Sequence, residues 1–299
     1  MSEERRCATI ALLGAPNAGK STLLNRLVGS KVSIVSPKVQ TTRARLLGIA
    51  LAGPAQLIFI DTPGIFAPKR RLERAMVAAA WAGAADTDAV VLLVDAARGL
   101  DADTRRIIDG LKAAGRRAVL ALNKIDSVPR ERLLPLTREL AKEKLFDAVF
   151  MISGLNGDGV EDLLRHLAGL APIGPWLFPE DQISDVPLRL LAAEVVREQV
   201  FLQLHQELPY AITVETDLWE ERADGSVMIT ATIHVARDSQ KPIVLGKGGA
   251  QVKRIGATAR AVLETLLERR VHLFLHVRVS EDWAEDRERY AAMRLDFET

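Results

Sequence analysis

A chain of 299 residues, with 48% hydrophobic and 26% charged residues, can form one large or two smaller globular domains. The single cysteine, Cys7, excludes an internal disulfide, and the sequence has no run of about 18 apolar residues that would predict a membrane span. The net charge of +1 gives no general attraction for polyanions, although basic residues cluster within 241–278. The N-terminal segment lacks the apolar core of a signal peptide, which predicts a cytoplasmic protein.

Short apolar runs alternate with helix-like segments from residue 7 to residue 172. The runs ATIALLG, AQLIFID, AVVLLVD, RAVLALNK and AVFMIS predict buried strands. Helical spacing is found between most of them, for example over 101–114 and 130–145. This alternation predicts an α/β domain over 1–172 with a mainly parallel sheet.

The segment GAPNAGKS, from Gly14 to Ser21, follows the first predicted strand and precedes a helix-like segment. It fits the phosphate-loop pattern G-x-x-x-x-G-K-[ST] in the strand–loop–helix setting that the pattern requires. Its glycines allow backbone N–H groups and the helix N-terminus to face a phosphate chain. We expect Lys20 to reach the β- and γ-phosphates and the Ser21 hydroxyl to ligate Mg²⁺. A simple glycine turn is the alternative for this motif alone.

Two further motifs follow later predicted strands. DTPG, from Asp61 to Gly64, supplies a carboxylate that can hold the Mg²⁺ shell. NKID, from Asn123 to Asp126, lies near the edge at which open parallel sheets bind nucleotides. Asp126 can accept hydrogen bonds from guanine N1–H and the exocyclic amine, which adenine does not offer, so it would reject ATP. Asn123 would contact the base and its own loop, and the Lys124 stem would cover the ring. Together the motifs resemble the G domain of a translation-factor-type P-loop GTPase.

The segment VQTTRARLLG lies where such GTPases sense the γ-phosphate through a threonine. Its resemblance to bacterial TTR switch segments selects Thr42, with Thr41 as the alternative. Ile65 follows Gly64 at a position where many GTPases have a water-orienting glutamine, so we expect slow intrinsic hydrolysis. Asn17 is predicted either to help bind K⁺ in the place of an arginine finger or only to shape the loop.

The predicted site residues of this domain form three overlapping sets. Those for nucleotide binding are Gly14, Ala15, Pro16, Asn17, Ala18, Gly19, Lys20, Ser21, Thr22, Asp61, Thr62, Pro63, Gly64, Ile65, Asn123, Lys124, Asp126 and Ser153. Those for hydrolysis are Lys20, Thr42, Gly64 and, as the K⁺ ligand, Asn17. Those for the Mg²⁺ shell are Ser21, Thr42 and Asp61. Ser153 is included because MISGLNG occupies the position of a Ser-Ala base-binding loop, with glycine here replacing the alanine.

The proline-rich segment 173–186 predicts a linker, followed by a second domain over 187–299. Helical periodicity over 187–206, a hairpin of 210–218 with 226–235, a helix over 250–268 and a strand over 271–279 predict an α+β fold. The segment SQKPIVLG is compatible with a short helix or a strand. Because LGKGGAQ has no Lys-Ser/Thr at the required spacing, it is not a second nucleotide loop.

The glycines of LGKGGAQ match the G-x-x-G loop with which KH domains hold an RNA backbone, and the order of elements resembles the bacterial type II KH fold. The predicted RNA-binding residues are Gly246, Lys247, Gly248, Gly249, Lys253, Arg254 and Arg260. A glycine turn beside an ordinary solvated helix face is the alternative. Few aromatic residues (5%) argue against an RNA module based on stacking.

Nearly the whole chain resembles the bacterial Era family of GTPases, through GAPNAGKS, QTTR, DTPG, NKID, LPY, GKGGAQVKRIG and VHLFLHVRV. The resemblance implies a monomeric GTP/GDP switch that binds 16S rRNA near its 3′ end and acts in assembly of the 30S subunit. It also implies loose association with the inner membrane. The alternative function is a membrane-associated regulatory GTPase whose KH-like domain contacts proteins or lipids. An RNA-modifying enzyme would need a further catalytic constellation, which 181–299 lacks.

Overall fold

The computed structural model describes residues 4–38, 41–204, 208–281 and 283–299, without the side chains of 209, 210 and 292. Val39 and Gln40 of the predicted switch segment, and the end of the predicted helix 187–206, lie outside these residues. The chain divides into two compact units. The first unit contains Met1–Ser33, Thr42–Asp185 and Ala291–Thr299, and the second contains Ile34–Thr41 and Val186–Tyr290.

The first unit is built on a six-stranded sheet in the order β2-β3-β1-β4-β5-β6. Its strands are β1 (Arg6–Gly14), β2 (Leu46–Ala52), β3 (Ala55–Asp61), β4 (Ala89–Asp95), β5 (Ala118–Asn123) and β6 (Phe146–Met151). All neighbouring pairs are parallel except β2 with β3. The five apolar runs that predict strands are therefore strands, whereas β2 is an antiparallel edge strand that the sequence pattern did not predict.

Helices cover both faces of this sheet because successive side chains of a strand point to opposite faces. The helices are α1 (Lys20–Val28), α2 (Arg71–Ala85), α3 (Ala102–Ala113), α4 (Leu133–Ala141) and α5 (Val160–Leu170). On β1, Ile10 and Leu12 belong to one apolar core with residues of α1 and α5. Ala11 and Leu13 belong to the other core with residues of α2, α3 and α4.

The carboxyl ends of the parallel strands meet at one edge of the sheet. Leu12 pairs with Asp61 across β1 and β3, and Asp95 pairs with Asn123 across β4 and β5. Each motif that follows one of these strands is therefore placed at the same edge, where doubly wound sheets bind nucleotides.

The segment 173–186, which the prolines predict to be a linker, lies along the edge strand β2 within the first unit. Ile49 N–H donates to Ile183 O at 2.9 Å, and Ser184 Oγ donates to Leu47 O at 2.7 Å. The buried Gln56 side chain accepts hydrogen bonds from the N–H groups of Leu177 (2.9 Å) and Phe178 (3.0 Å). The segment thus shields an edge that would otherwise offer unpaired backbone groups.

The second unit has the element order α-β-β-α-α-β, followed by a short terminal helix. Its elements are α6 (Leu188–Gln203), β7 (Ile212–Glu221), β8 (Val227–Val235), α7 (Lys241–Leu245), α8 (Ala250–Leu267), β9 (Val271–Val279) and α9 (Arg287–Ala292), of which the last two residues fall in the first unit. β7 and β8 are antiparallel, whereas β8 and β9 are parallel. The ambiguous segment SQKPIVLG contains the helix α7. Among the described helices of the chain, none combines the length and the hydropathy needed to cross a membrane.

Candidate functional site

The phosphate loop connects β1 to α1 and carries a buried lysine. Lys20 is 6% exposed, and its Nζ donates to the carbonyls of Gly14 (3.1 Å) and Ala15 (3.2 Å). Burial lowers the pKa of the Lys20 ammonium to about 8, against the opposing field of Asp61. Gly19 has φ +98°, and a Cβ there would lie 2.2 Å from Asn123 Nδ2. The loop therefore holds a buried cation beside a glycine backbone, as a phosphate chain requires.

Three hydroxyl groups surround one buried carboxylate at the end of β3. Asp61 Oδ2 accepts hydrogen bonds from Ser21 Oγ at 2.7 Å and Ser33 Oγ at 2.9 Å, and Thr42 Oγ1 lies 3.4 Å away. Ser21 Oγ and Thr42 Oγ1 are 2.8 Å apart. Burial raises the pKa of the Asp61 carboxyl, partly opposed by Lys20 and the three hydroxyls.

The donor set around Asp61 fits a hard divalent cation. Within the described part of the chain, Asp61 Oδ1 is buried and has no hydrogen-bond partner. Carboxylate and hydroxyl oxygens are the ligands that Mg²⁺ prefers. Ser21, Thr42 and Asp61, the three residues predicted for the Mg²⁺ shell, are therefore brought together by the fold.

The two threonines of the switch segment have different surroundings. The Thr41 hydroxyl donates to Lys38 O at 2.7 Å and is 2.8 Å from Ser36 Oγ, so it is engaged within its own segment. The Thr42 hydroxyl instead faces Ser21 and Asp61. This geometry supports Thr42, rather than Thr41, as the residue that senses a γ-phosphate through Mg²⁺.

The DTPG segment leaves β3 and passes directly over the phosphate loop. A Cβ on Gly64 would lie 2.9 Å from both Pro16 Cα and Pro16 N. Ile65 is fully buried in the core beside Leu13, and its N–H donates to Gly14 O at 3.2 Å. Since Ile65 packs in the core, it has no means of orienting a water molecule.

The predicted base-binding residues follow β5 and β6. Asn123 is buried; its Nδ2 donates to Ala18 O at 2.8 Å and its Oδ1 accepts from Gly154 N–H at 2.9 Å. Lys124 has φ 64°, and its Nζ pairs with Asp95 at 2.8 Å. Asp126 is exposed. Asn123 therefore links the phosphate loop to the loop that carries Ser153. The Asp126 carboxylate, being exposed, is accessible to a base.

The remaining predicted nucleotide-binding residues lie at the same edge of the sheet. Pro16, Ala18, Thr62 and Pro63 are buried, Asn17 and Thr22 are partly exposed, and Ser153 is fully buried. Thr62 Oγ1 donates to Leu12 O at 2.8 Å, and Ser153 Oγ accepts from Asn156 N–H at 3.0 Å. Thr62 and Ser153 therefore use these hydroxyl contacts to hold backbone.

The second glycine loop joins α7 to α8. Gly246, Gly248 and Gly249 have φ of +73°, +58° and +79°, a backbone region that favours glycine. A Cβ on Gly246 would lie 2.6 Å from Gln251 Cβ, whereas a Cβ on Gly248 would meet no atom within 4 Å. The middle of the loop is therefore open to a ligand, while its first glycine is required by packing.

Exposed basic side chains accompany this loop. Lys247, Lys253, Arg254 and Arg260 are all exposed. Arg254 is held in place, because its Nε donates to Gln203 Oε1 at 3.1 Å and its Nη2 to Gln251 Oε1 at 2.7 Å. The seven predicted RNA-binding residues thus lie on one loop and on the part of α8 from its start to Arg260.

The described residues of the segment Ile34–Thr41, which are 34–38 and Thr41, contact α6 in the second unit. Glu198 Oε1 accepts from Val35 N–H at 2.8 Å, and the buried Arg197 donates to Thr41 O. The Lys38 ammonium donates to the carbonyls of Phe201 and Leu204 at the C-terminal end of α6. The residue before Thr42 is therefore hydrogen-bonded to the first helix of the second unit.

Sequence reasoning missed two residues of the nucleotide site. Ser33 belongs to no motif; the Asn25 side chain, which accepts its N–H at 2.9 Å, positions it beside Asp61. Arg98 follows β4 and donates from Nη1 to Pro16 O at 3.0 Å. Neither contact has a spacing signal, because both arise from tertiary packing.

Comparisons with known proteins match both units. The profile described as 50S ribosome-binding GTPase matches residues 9–124, and the KH domain profile matches 207–284. GTPase Era of Rhizobium meliloti (strain 1021) is 57% identical over 292 residues, covering 98% of this chain and 93% of that protein. GTPase Era of Brucella suis biovar 1 is 54% identical over 296 residues, covering 99% and 95%. The chain belongs to the Era family of GTPases.

Solved structures agree with the Era assignment over both units. A crystal structure of Era in complex with MgGDPNP and nucleotides 1506–1542 of 16S ribosomal RNA has a TM-score of 0.92 and 38% identity, covering 97% of this chain and 98% of that chain. A variant of Aquifex aeolicus Era bound to GDP·AlF₄⁻ has a TM-score of 0.91 and 38% identity, covering 96% and 98%. The predicted fold class, a P-loop GTPase domain followed by a KH domain, is confirmed, as is the predicted GTPase activity.

Proposed function

We propose that this Era-family chain is a GTP-controlled switch that binds 16S rRNA near its 3′ end and acts in assembly of the 30S subunit. The observation that carries the proposal is one chain with both a complete GTP site and an open G-x-x-G loop flanked by exposed basic residues. The related Era structure with a 16S rRNA fragment supports the identity of the RNA. The RNA contacts would come from the backbone of Gly246–Gly249 and from Lys247, Lys253, Arg254 and Arg260.

In this proposal 1–172 is the GTP-binding domain, 173–186 the connecting segment and 187–299 the RNA-binding domain. The chain acts as a cytoplasmic monomer whose partner is the 30S precursor. The family resemblance extends the proposal to peripheral association with the inner membrane. Anionic vesicles therefore belong in the binding experiment as a comparison for RNA.

In this proposal the residues at the sheet edge have different roles in GTP hydrolysis. Ser21, Thr42 and Asp61 would hold Mg²⁺, which neutralises charge on the β- and γ-phosphates. Lys20 would contact the same phosphates, and Asp126 would select guanine. Since Ile65 cannot orient water, intrinsic turnover should be slow.

Asn17 is proposed as a K⁺ ligand beside the phosphates, where a monovalent cation would replace the charge of an arginine finger. Its φ of 64° is unusual for a residue other than glycine and places it at the bend of the loop. Hydrolysis rates measured in K⁺ and in Na⁺ at equal ionic strength test this role. Faster hydrolysis in K⁺, lost in Asn17→Ala, is expected; equal rates in both salts would exclude it.

The coupling between nucleotide and RNA is proposed to run through Ile34–Thr41. Thr42 belongs to the Mg²⁺ shell, and the residue before it is held by Arg197 on α6. A γ-phosphate that orders Thr42 would therefore bias the contacts of the preceding segment with α6. The consequence would be a difference in RNA affinity between the GTP and GDP states.

The deciding experiment measures binding of a short 16S 3′-end RNA at fixed salt, with GDP and then with a non-hydrolysable GTP analogue. A scrambled RNA of the same length and anionic vesicles are the comparison ligands, and Gly248→Asp is the control variant. Tighter, sequence-dependent binding with the GTP analogue is expected. Equal and weak binding to both RNAs in both nucleotide states would overturn the RNA switch and leave the GTPase intact.

A further inference from the structure

Arg98 lies just after β4 and reaches the back of the phosphate loop. Its Nη1 donates to Pro16 O at 3.0 Å, and its Nη2 pairs with Asp101 at 2.5 Å. Asp101 is the N-cap of α3 and accepts from Thr104 N–H at 2.8 Å. Arg98 is thus held between the start of a helix and one carbonyl of the loop.

The contact with Pro16 O fixes the direction of the next peptide N–H. In a trans peptide the C=O and the following N–H point in opposite directions. A guanidinium that holds Pro16 O therefore turns the Asn17 N–H away from Arg98. Lys20 and Asn123 hold the neighbouring carbonyls of Ala15 and Ala18. Arg98 completes this set of contacts at the bend.

Pro16 is also close to Gly64 of the DTPG segment. A Cβ on Gly64 would lie 2.9 Å from Pro16 Cα and 3.0 Å from Pro16 Cγ, so the two backbones are close. Movement of Pro16 would therefore change both the Asn17 amide and the space available to Gly64. Because Lys20 of the same loop is expected to reach the β- and γ-phosphates, we expect the Asn17 amide and Gly64 to lie towards the γ-phosphate end of a bound nucleotide.

We propose that Arg98 is a positioning residue for GTP hydrolysis, which acts on the transferred phosphoryl group by holding Pro16 O and thereby the Asn17 amide. In this role Arg98 holds a backbone carbonyl and need not touch the phosphates, which distinguishes it from an arginine finger. Its effect should appear when charge develops on the γ-phosphoryl group, because preorganised backbone donors act most strongly there. Binding of GDP, which lacks that group, should change little.

The test compares Arg98→Ala with Arg106→Ala in the full chain. Arg106 is a matched control, because it is similarly exposed and pairs with Asp103 at 2.9 Å on the same helix. We expect Arg98→Ala to lower kcat and the affinity for GDP·AlF₄⁻ about tenfold, with GDP affinity changed by less than about twofold. Arg106→Ala should leave all three unchanged. Arg98→Lys should recover part of the kcat, since its ammonium can still donate to one carbonyl.

A second variant keeps the proposal testable if Arg98→Ala does not fold. Asp101→Asn preserves an N-cap for α3 but removes the nearer of the two carboxylates that pair with Arg98, since Asp103 lies 4.0 Å from the same nitrogen. It should lower kcat in the same direction by a smaller factor, again with little change for GDP. An equal loss of GDP and GDP·AlF₄⁻ affinity would show a purely structural role, and unchanged kcat in both variants would show no role. Either result overturns the proposal.

Discussion

Because Gly64 has no side chain, the DTPG segment can pack closely on the phosphate loop. A Cβ added to Gly64 would lie 2.9 Å from two backbone atoms of Pro16. Backbone atoms cannot move aside as the end of a flexible side chain can. The hydroxyls of Ser33 and Thr42 likewise approach the Asp61 carboxylate closely, although the three residues belong to different segments of the chain. At the scale of residues, the nucleotide site depends on close approach of backbone and short side chains.

Gly64→Ala should abolish most GTP hydrolysis while preserving GDP binding. The added Cβ would force Pro16 and the DTPG segment apart, and we expect this to disturb contacts with the γ-phosphate more than the binding of GDP, which lacks it. We expect kcat to fall at least about tenfold, corresponding to about 1.4 kcal/mol of transition-state stabilisation. Single-turnover hydrolysis and GDP titration measure the two quantities.

Gly169→Ala is a control for Gly64→Ala, since a Cβ there meets no atom within 4 Å and the residue lies within α5. It should leave hydrolysis unchanged and raise the free energy of unfolding by a few tenths to about 1 kcal/mol. Unchanged hydrolysis in Gly64→Ala would contradict the close packing of the switch on the loop.

Asp126→Asn should change the base that the site prefers. An amide can accept only one of the two hydrogen bonds that guanine donates and places its NH₂ against the guanine amine, but this NH₂ can donate to the 2-oxo group of xanthine. We expect GTP affinity to fall at least about a hundredfold and XTP affinity to rise. Competition of GTP and XTP for a fluorescent nucleotide measures the change. Retained preference for GTP would show that Asp126 does not read the base.

At the scale of elements, the glycines of the loop between α7 and α8 have two different roles. Gly246 is packed against Gln251 at the start of α8, whereas Gly248 projects into open space. A similar division is seen in α6, whose apolar residues Val196 and Val200 belong to the core while Arg197 and Glu198 contact Ile34–Thr41. Each of these elements therefore has one side that packs in the core and another that is available for other contacts.

The two glycines predict opposite outcomes when substituted. Gly248→Asp should cost only about 1 kcal/mol of stability from its positive φ but should abolish RNA binding, because a carboxylate would repel the RNA backbone. Gly246→Ala should lower the free energy of unfolding by more than Gly248→Asp does, because its Cβ meets backbone. Thermal unfolding and RNA binding of both variants check this. Equal stability of the two would contradict the packing argument.

Lys38→Met should weaken the link between nucleotide and RNA. The substitution retains an apolar stem but removes the ammonium that donates to the C-terminal carbonyls of α6, where a cation is favoured. We expect the ratio of RNA affinities in the GTP and GDP states to approach one, with GDP affinity unchanged. Lys142→Met, at an exposed position, is the control. A preserved ratio would exclude Lys38 from the coupling.

At the scale of the whole molecule, the two units should respond differently to ligands. The predicted nucleotide-binding residues all belong to the first unit, and the predicted RNA-binding residues all belong to the second. A ligand stabilises the state that binds it by RT ln(1 + [L]/Kd), about 2.7 kcal/mol at a hundredfold excess over Kd.

Mg²⁺ with a GTP analogue should therefore raise the unfolding temperature of the first unit. Removal of Mg²⁺ with EDTA should reverse most of the increase, because Asp61 and the hydroxyls near it would lose their ligand. Calorimetry with and without EDTA, and with Ser21→Ala, measures the effect. An increase that survives EDTA in the unchanged protein would contradict the Mg²⁺ site.

Much of this architecture could be predicted from the sequence, for identifiable reasons. The buried parallel strands have continuous apolar runs, and the phosphate loop has a fixed spacing between Gly14 and Ser21. β2 could not be predicted in the same way, since it is an edge strand interrupted by Gly48 and its antiparallel pairing is determined by the short turn to β3. α7 has only five residues, too few for helical periodicity to decide between a helix and a strand.

The site was predictable only where a motif required it. Asp61 and Asn123 follow strands at the expected positions, whereas Ser33 reaches Asp61 because Asn25 folds the intervening backbone. Arg98 reaches Pro16 across 82 residues of sequence, a contact that no local pattern encodes. The predicted linker 173–186 is similar: its prolines indicate irregular structure, but its pairing with β2 depends on the finished sheet.

The membership of Ile34–Thr41 in the second unit has a consequence for modularity. A fragment that begins at residue 187 would contain α6 without the segment whose backbone groups satisfy Arg197 and Glu198. Such a fragment would lose the hydrogen bonds of Val35 and Thr41 with α6 and should fold less stably than its own apolar core suggests. A chimera that exchanges RNA-binding domains between relatives should therefore also exchange residues 34–41. The second unit, which we propose binds RNA, is therefore discontinuous along the chain.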